Sequence, residues 1–326
     1  MALSHKSFRI AIDGGGTKTV CVVLDDTGQI LGRGEAGASN YHNVGISAAF
    51  GSIQSAIAQA TAVTGAVKVE AICLGLAGVD RQVDIQVVHG LVEQLQSSQT
   101  LPVTWAVPAS NLIICHDALI ALVGGVGHKV GVTAIAGTGS VVFGQNYRGC
   151  TKRVDGWGHI LGDYGSAYQI AVQGMRMALK AYDGCSEPTI IQEYLIQHLE
   201  LKSLEDLIEV VYQREWGVKE IAALASIVDL AASEGDVVAN AIVEQAVKEL
   251  SLATWVVIQA LFNPSEVFEV VTTGSMWCGL SKLRHRFTAE IATCAPLAKV
   301  IYPRNEPGYG AALLALNTLA GKRTQE

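Results

Sequence analysis

Short apolar runs separated by glycine-bearing turns make up the first part of the chain. The segments FRIAIDG (8–14), TVCVVLDD (19–26) and ILGRGEA (30–36) have the length and the residue types of β-strands. Because the turns between them are short, the pattern predicts an antiparallel meander.

A helix and two more buried strands follow the meander. Alanine and isoleucine recur at helical spacing over about 47–63, which predicts a helix. EAICLGLAG (70–78) and NLIICHDA (111–118) have the apolar runs of buried strands, and the second one runs into a polar His-Asp pair.

Near Lys129 the pattern starts again. VGVTAIAGTGSVVFGQN (130–146) has the same order of strand, glycine turn and strand as FRIAIDGGGTKTVCVVLD (8–25). Two such hairpins, each opening one half of the chain, predict a duplicated α/β unit.

The second half of the chain is mainly helical over about 163–262. Within it, Asp236 follows a glycine and is predicted to cap the start of a helix. VFEVVTTGS (267–275) is a last predicted strand, and the segment 307–310 is predicted to introduce a terminal helix over 311–320.

Two domains follow from this organisation. No Pro- or Ser-rich linker separates the halves, so we expect the domains to meet across a hinge, with a cleft between them. The N-terminal domain is predicted to cover 1–120 and to regain the terminal helix at 308–326. The larger domain is predicted to cover 121–307.

Composition narrows the class of protein. Of the 326 residues, 50% are hydrophobic and 16% are charged, with a net charge of −7, so no basic face for nucleic acid is implied. Residues 1–7 are polar, and the most apolar stretch (252–262) is shorter than the roughly 20 residues a bilayer requires.

Seven scattered cysteines without a CxxC pair indicate reduced thiols. The expected protein is cytoplasmic and has no membrane partner.

The two glycine turns, DGGGT and AGTGS, are the first candidates for chemistry. Such turns let backbone N–H groups converge on an anion, and Thr17, Thr138 and Ser140 add hydroxyls. One such turn alone is more often structural, but two in matched halves would suit a polyphosphate. Neither the P-loop pattern nor the dinucleotide pattern GxGxxG is present.

Two aspartates stand beside these elements. Asp13 next to a phosphate site would repel the ligand unless a divalent cation lay between them, which predicts Mg²⁺ held through this residue. Asp117 ends an apolar strand and could serve as the base that phosphate transfer to an alcohol requires. Capping of the helix that starts at Ala118 would explain Asp117 equally well. Lys18 is expected to point away from the ligand.

The segment DGWGHILGDYGSAYQIA (155–171) has three glycines in its first eight residues and predicts a loop close to a ligand. Trp157 could stack on a sugar or simply pack the loop. Asp163 and Ser166 look like the first turn of the following helix. Three histidines lack a partner at metal-ligand spacing and are predicted to be structural or to face a substrate: His42, His116 and His159.

These motifs, in this order, resemble those of the sugar kinase, Hsp70 and actin superfamily. IAIDGGGTKT and AIAGTGS match its two phosphate motifs, NLIICHDA carries the connecting aspartate, and VVTTGSMW matches the adenosine motif. Within the superfamily the chain is most similar to the N-acetylglucosamine kinases of the BadF/BadG/BcrA/BcrD ATPase family. GASNYHNVG, GLAGVD and above all GWGHILGDYGSAYQIA carry that similarity, which covers almost the whole chain.

The resemblance implies an actin-like ATPase (ribonuclease H-like) fold and ATP-dependent phosphorylation of the 6-hydroxyl of N-acetylglucosamine. It implies Asp117 as general base, Asp13 as support for Mg²⁺, and a homodimer formed mainly by the larger domain. The sugar-binding residues that it implies are Asn40, Asp117, Gly156, Trp157 and Asp163. The nucleotide-binding residues that it implies are Gly15, Gly16, Thr17, Gly137, Thr138, Gly139, Ala222, Gly274 and Ser275.

Other functions remain open at the level of sequence. Tyr164 stands where relatives often carry a glutamate, which leaves the sugar in question, and glucosamine kinases share much of the frame. An ATP-driven activator of a reductase would need cysteines brought together around an iron–sulfur cluster, and here they are scattered. A sugar-responsive repressor would need a helix-turn-helix segment, for which residues 1–7 are too few.

Overall fold

The computed structural model describes residues 7–213, 216–280 and 282–323, and the side chains up to residue 318. The polar N-terminal segment, apart from Ser7, therefore lies outside the described residues. The chain forms two compact units. The first unit combines Met1–Lys129 with Pro303–Glu326, and the second unit is Val130–Tyr302.

The first unit contains one sheet. Its strands are β1 (Ser7–Gly14), β2 (Thr19–Leu24), β3 (Ile30–Ala36), β4 (Val67–Leu76), β5 (Val103–Trp105) and β6 (Leu112–His116). The order is β3-β2-β1-β4-β5, and β6 also pairs with β4. β1, β2 and β3 are antiparallel neighbours, which confirms the predicted meander, whereas β4, β5 and β6 add in parallel.

The helices of the first unit are α1 (Tyr41–Val44), α2 (Ile46–Ala62), α3 (Gln82–Ser97), α4 (Asp117–Val126) and, from the end of the chain, α13 (Pro307–Arg323), with a 3₁₀ turn at Ala109–Asn111. The predicted domain boundary at 120 falls inside α4. α13 begins at Pro307, four residues before the predicted start at 311, because proline fits the first turn of a helix, where its nitrogen needs no hydrogen bond. A Cβ on Gly310 would meet the backbone of Ile120 and Gly124, so the two helices can approach only because this residue is glycine.

Apolar side chains cover both faces of this sheet. Successive residues of a strand point to opposite faces. Ile10 and Ile12 accordingly belong to a core with α2 and α3, and Ala11 belongs to a second core with α4 and α13. The sheet therefore lies between two helical layers, with its strand ends left at the surface of the unit.

The second unit repeats the strand order of the first. Its strands are β7 (Gly131–Ala136), β8 (Ser140–Gln145), β9 (Thr151–Asp155), β10 (Phe268–Thr273) and β11 (Ala298–Ile301). Their order is β11-β10-β7-β8-β9, with β7, β8 and β9 antiparallel and β10 and β11 parallel to β7. An antiparallel hairpin extended by a third strand, with parallel strands on the other side, occurs in both units, so the predicted duplication is confirmed.

The remaining chain of the second unit is helical, as predicted. Its helices are α5 (Ala167–Tyr182), α6 (Ile191–Leu199), α7 (Leu207–Gln213), α8 (Val218–Ala223), α9 (Ala225–Ser233), α10 (Val237–Leu261), α11 (Met276–Gly279) and α12 (Leu283–Cys294), with a 3₁₀ turn at Leu204–Asp206. Asp236 caps α10 by accepting the N–H of Ala239 at 2.7 Å, which confirms its predicted role. In the part of the chain that the structure describes, no helix is long and apolar enough to cross a bilayer.

Candidate active site

The first unit brings two predicted carboxylates to one edge of its sheet. Asp13 lies near the end of β1 opposite Gly75 of β4, and Gly75 lies opposite Cys115 of β6. Asp117 follows β6 directly, as the first residue of α4. β1, β4 and β6 run parallel, so their carboxyl ends meet at the same edge. The two aspartates are close enough for the charge of Asp117 to raise the pKa of Asp13.

The surroundings of Asp13 disfavour its charged form, so a nearby cation would stabilise the carboxylate. Its pKa is raised to about 7, first by burial and second by the negative charge of Asp117. No group of three or more His, Cys, Asp or Glu side chains among the described residues could hold a metal ion. Mg²⁺ commonly binds one or two carboxylates and takes its other ligands from substrate phosphates and water. The residues present therefore fit a magnesium ion that arrives with a phosphate substrate.

Asp117 does not cap the helix that it begins, so the capping interpretation is wrong. The cap is His116, whose Nδ1 accepts the N–H of Ala118 at 3.0 Å. The same nitrogen lies 2.8 Å from Oδ1 of Asp117. Apart from this imidazole nitrogen, no hydrogen-bond donor among the described residues reaches Oδ1 of Asp117, which is buried. The side chain as a whole is 27% exposed, and it can accept a proton from a substrate.

The first glycine turn presents backbone and a hydroxyl to solvent. The N–H of Gly15 donates to the carbonyl of Lys18 at 2.9 Å and closes the turn. Gly16 and Thr17 are exposed within it. The ammonium of Lys18 lies 3.8 Å from the carboxylate of Glu35. The lysine side chain thus reaches toward β3, but its charge also lowers the pKa of Asp13, so its pointing away from the ligand stays a prediction.

The predicted sugar loop is tied to this turn through its backbone. The carbonyl of Gly15 accepts the N–H groups of Ser39 and Asn40 at 3.1 and 3.2 Å. Oδ1 of Asn40 accepts the N–H of His42 and so caps α1, which leaves the amide nitrogen of the side chain for a ligand. A Cβ on Gly78 would lie 2.9 Å from Oδ1 of Asn40. Two separate sequence motifs, GASNYHNVG and GLAGVD, therefore meet here.

Asp84, which the sequence interpretation missed, fastens the same loop. Its carboxylate is 1% exposed and accepts the hydroxyl of Tyr41 at 2.6 Å and two donors of the Arg81 guanidinium at 2.8 and 3.0 Å. Nε2 of His42 lies 3.3 Å away. These donors hold the pKa of Asp84 far below its usual range, with the Arg81 hydrogen bonds as the largest cause. The sequence did contain a signal for Asp84. It lies four residues before Val88, on the same buried face of α3, where an acidic residue is unusual.

The second glycine turn is joined to the helix behind it. The N–H of Gly137 donates to the carbonyl of Gly139, and the N–H groups of Ala167 and Tyr168, at the start of α5, donate to the carbonyls of Gly137 and Thr138. The three turn residues are partly exposed. This arrangement holds the turn 137–139 at the carboxyl end of β7, in the position that the first glycine turn has after β1.

Asp163 lies directly against this turn. A Cβ on Gly139 would meet its Oδ2 at 2.5 Å. The pKa of Asp163 is raised, first by burial and second by the charge of Asp155. Asp163 is not in the first turn of α5, contrary to the sequence expectation. That helix begins at Ala167, and Ser166 caps it by accepting the N–H of Gln169. Asp163 instead has a φ of 57°, in the left-handed region.

The loop around Trp157 is exposed and supported by an arginine. The Trp157 side chain is 63% exposed, and the Arg153 guanidinium lies 4.2 Å from the centre of its ring. Gly156 has a φ of 76°, and a Cβ there would meet Val141 at 2.8 Å. The indole is therefore exposed to solvent, while the loop beneath it is closely packed. Such a ring can stack against the apolar face of a sugar.

The predicted adenosine motif lies beside the second turn. Ser275 Oγ would be 3.7 Å from a Cβ on Gly137, and Gly274, with a φ of 112°, sits against the carbonyl of Ala136. The structure thus brings together two of the predicted nucleotide-binding segments of this unit, the turn 137–139 and the residues 274–275. Ala222 of α8 is buried in the core of the unit. Its place at the nucleotide stays a prediction.

The fold and these turns together define a class of protein. Two α/β units of one strand order, each with a glycine turn after its first strand, form the duplicated architecture of the actin-like ATPases. The family model described as "BadF/BadG/BcrA/BcrD ATPase family" matches residues 10–315. The chain belongs to this family.

Two known proteins are similar over nearly their whole length. The N-acetylmuramic acid/N-acetylglucosamine kinase of Clostridium acetobutylicum is 32% identical, with 94% of this chain and 97% of that protein covered. The N-acetyl-D-glucosamine kinase of Dictyostelium discoideum is 35% identical, with 96% of this chain and 99% of that protein covered.

Solved structures share the fold at lower identity. A candidate N-acetylglucosamine kinase from Chromobacterium violaceum superposes with a TM-score of 0.73 at 21% identity, over 94% of this chain and 98% of its own. A ROK family glucokinase from Streptomyces griseus, in complex with glucose and AMPPNP, superposes with a TM-score of 0.54 at 19% identity, over 97% and 99% of the two chains.

Proposed function

We propose that this protein is an ATP-dependent sugar kinase that converts N-acetyl-D-glucosamine and ATP to N-acetyl-D-glucosamine 6-phosphate and ADP. The relatives with 32% and 35% identity are both kinases of N-acetylated amino sugars. The observation that carries the chemistry is Asp117, a partly exposed carboxylate beside His116, at the same sheet edge as Asp13.

Asp117 acts as the general base. Its carboxylate takes the proton of the sugar 6-hydroxyl as O6 forms a bond to the γ-phosphorus. The bond between that phosphorus and the oxygen bridging to the β-phosphate breaks, and ADP leaves with that oxygen. His116 caps α4 and so fixes the backbone that carries the base.

The two glycine turns bind the phosphates. Backbone N–H groups at Gly15, Gly16, Gly137 and Gly139, with the hydroxyls of Thr17 and Thr138, would contact the polyphosphate from both turns. Gly274 and Ser275 would line the adenosine, with Ala222 near it. When bound, Mg²⁺ at Asp13 neutralises phosphate charge that would otherwise oppose attack by O6.

The sugar is recognised by two loops. In the first unit, Asn40 of the GASNYHNVG loop can offer its side-chain nitrogen to the sugar, since its side-chain oxygen caps α1. In the second unit, Trp157 offers a ring face for stacking, and Gly156 and Asp163 supply polar contacts to sugar hydroxyls. These loops present side chains, whereas the glycine turns present mainly backbone, so the choice among related sugars resides in the loops.

A coupled assay of ADP release tests the proposal. We expect N-acetylglucosamine to give the highest kcat/KM in a panel with glucosamine, N-acetylmannosamine, N-acetylmuramic acid and glucose. Release of ADP with glucosamine but not with N-acetylglucosamine would make the protein a glucosamine kinase instead. Absence of sugar-dependent ADP release throughout the panel would overturn the kinase proposal.

The site of phosphorylation has its own test. The 6-deoxy analogue of N-acetylglucosamine lacks the attacking hydroxyl, so we expect it to inhibit competitively and to give no sugar-dependent ADP. Phosphorus NMR of the product should show a phosphate on carbon 6. A phosphorylated product from the 6-deoxy analogue would move the reaction to another hydroxyl.

Assembly and location complete the proposal. The expected enzyme is a cytoplasmic homodimer, with most of the contact supplied by the second unit. The described cysteines are all free thiols, as a reducing compartment would keep them. Light scattering coupled to size exclusion would give the mass in solution, and the mass of a single chain at micromolar concentration would overturn the dimer.

A further inference from the structure

We propose that Asp155 is a positioning residue for sugar binding, which acts by fixing the conformation of Asp163. This inference rests on the proposed function, since it assumes that Asp163 contacts the sugar. Asp155 was not among the residues predicted from the sequence motifs. It is the last residue of β9 and directly precedes the loop of Trp157.

The carboxylate of Asp155 binds the two peptide groups on either side of Asp163. Its Oδ1 accepts the N–H of Asp163 at 2.8 Å, and its Oδ2 accepts the N–H of Tyr164 at 2.7 Å. Hydrogen bonds from a backbone N–H to a charged oxygen are stronger than neutral ones. One side chain therefore holds both ends of the backbone segment that carries the Asp163 side chain.

This hold is needed because Asp163 has an uncommon backbone conformation. With a φ of 57°, it lies in the left-handed region, which non-glycine residues adopt only at a cost in free energy. The two hydrogen bonds from Asp155 favour this φ over an ordinary one, and the Asp163 carboxylate adds to them by accepting the backbone N–H groups of Gly158 and Ser140. A change of φ would swing the Asp163 carboxylate away from Gly139, which it now touches.

Asp155 is itself firmly placed. It lies opposite Val141 in the β8–β9 pairing, so it sits beside Ser140, the last residue of the AGTGS turn. The Arg153 guanidinium donates to the backbone carbonyls of Asp155 and Gly156. These contacts attach the start of the loop to the sheet.

Ser140 completes the link between the phosphate turn and the sugar loop. Its hydroxyl donates to the carbonyl of Tyr164 at 2.8 Å, and its oxygen lies 3.3 Å from Oδ2 of Asp155. Because a hydroxyl has one proton, the shorter contact to Tyr164 is the main bond. The N–H of Tyr164 is thus held by Asp155 and its carbonyl by the phosphate turn, so Asp163 is fixed relative to the second glycine turn.

The test compares Asp155→Gly and Asp155→Asn with the wild type. Asp155 has a φ of 66°, which glycine and asparagine adopt readily, so these substitutions remove acceptors without straining the backbone. We expect Asp155→Gly to raise the KM for the sugar at least ~10-fold while the KM for ATP changes less than ~3-fold. The reason is that a misplaced Asp163 carboxylate would weaken sugar binding and leave ATP binding intact. Asp155→Asn keeps one acceptor oxygen and should lie between the two.

Asp206→Asn is the matched control. Asp206 lies in the same unit, and its Oδ2 likewise accepts two backbone N–H groups, those of Lys202 and Ser203. Its loss should lower stability without changing the KM for the sugar. An unchanged sugar KM in Asp155→Gly would overturn the proposal. So would an equal rise in both KM values together with a large fall in unfolding temperature, because that result indicates a general structural role.

Hydrogen exchange separates this inference from the proposed function. We expect the N–H groups of Asp163 and Tyr164 to exchange at least ~10-fold faster in Asp155→Gly, with exchange in the first unit unchanged. This readout requires no activity. If the wild type phosphorylates no sugar, the kinase proposal fails, yet faster exchange confined to this loop still supports Asp155 as the residue that positions Asp163. Unchanged exchange would overturn that role.

Discussion

Three aspartates of this protein have different surroundings, and each surrounding suits a different task. Asp13 is half-buried near a second carboxylate, and its pKa is raised to about 7, so it gains most from a nearby cation. Asp117 is partly exposed and contacts the imidazole of His116, so its carboxylate can accept a proton from a substrate. Asp163 has a raised pKa through burial and lies against a glycine turn, where it can bind hydroxyls.

For Asp117 we expect the substitution Asp117→Asn to lower turnover at least ~100-fold, because an amide cannot take the proton of the sugar hydroxyl. ATP binding should change less than ~3-fold, since the phosphate turns are intact. Turnover is measured in the coupled assay, and binding of a non-hydrolysable ATP analogue by calorimetry. Turnover near that of the wild type would remove Asp117 as the base.

For Asp13 the raised pKa predicts how stability depends on pH. Between about pH 4 and pH 7 the folded protein keeps a proton on Asp13 that the unfolded chain has released. The contribution of this residue to stability therefore falls as pH rises through that window and is least favourable above pH 7. In Asp13→Asn this loss is absent, because an amide does not ionise.

We therefore expect Asp13→Asn to be more stable than the wild type at pH 8 without metal, by on the order of 4 kcal/mol, and the difference to shrink toward pH 4. Urea unfolding in EDTA at pH 5 and pH 8 measures this difference. Magnesium-dependent turnover should fall in the same variant. Parallel pH profiles of the two proteins would contradict the raised pKa.

At the scale of elements, the two hairpin turns resemble each other in position but differ in their neighbours. The first turn is tied to the Asn40 loop through the carbonyl of Gly15. The second is tied to the Asp163 loop through Ser140. Each glycine turn is thus connected to one predicted sugar loop of its own unit, so under the proposed function the positions of the phosphate and of the sugar would be linked within each unit.

A pair of glycine substitutions tests this link. A Cβ on Gly139 would meet Oδ2 of the Asp163 carboxylate at 2.5 Å, so Gly139→Ala should displace that carboxylate and raise the sugar KM at least ~10-fold. On Gly137 the nearest atom to a Cβ is Ser275 Oγ at 3.7 Å, an ordinary contact. Gly137→Ala should leave the sugar KM unchanged.

Steady-state kinetics with sugar and with ATP as the varied substrate, together with thermal unfolding, distinguish the outcomes. An equal effect of the two substitutions on the sugar KM would show that Asp163 does not contribute to sugar binding.

At the scale of the whole molecule, the predicted residues are divided between the two units. Asp13, Thr17, Asn40 and Asp117 belong to the first unit, and the residues from Gly137 to Ser275 belong to the second. Each unit has its own apolar core. A reaction that uses all these groups therefore needs the complete chain.

Ligand binding should be visible in the stability of the whole protein. A ligand that binds only the folded state stabilises it by RT ln(1 + [L]/Kd), so N-acetylglucosamine at about 100 times its Kd should add about 2.7 kcal/mol. Unfolding in urea measures the gain, with glucose at the same concentration as the control that lacks the acetamido group. Asp117→Asn should keep most of this gain, and loss of the gain in that variant would place Asp117 in binding rather than in proton transfer.

Local patterns predicted the elements well, because the signals that they use are local. The meander, the second hairpin and the cap at Asp236 depend on alternation along a strand or on residues a few positions apart. The expectation that Asp163 belongs to the first turn of α5 was wrong. Ser166 and the helix signals after it are equally local, but the left-handed φ of Asp163 depends on a carboxylate eight residues away.

The amino-acid pattern was sufficient for the duplicated α/β architecture, the two glycine turns and the family, since glycine's missing Cβ and the spacing of apolar residues act within one element. Folding added His116 as the cap of α4, Asp84 beneath the Asn40 loop and Asp155 beneath Asp163. The contacts of Asp84 with Tyr41 and of Asp155 with the Asp163 segment arise when folding brings separate segments together. The cap at His116 is local, but histidine is not among the usual capping residues, so the pattern did not predict it. The partners of Asp155 are backbone groups, which every residue carries, so no residue pattern marks them in advance.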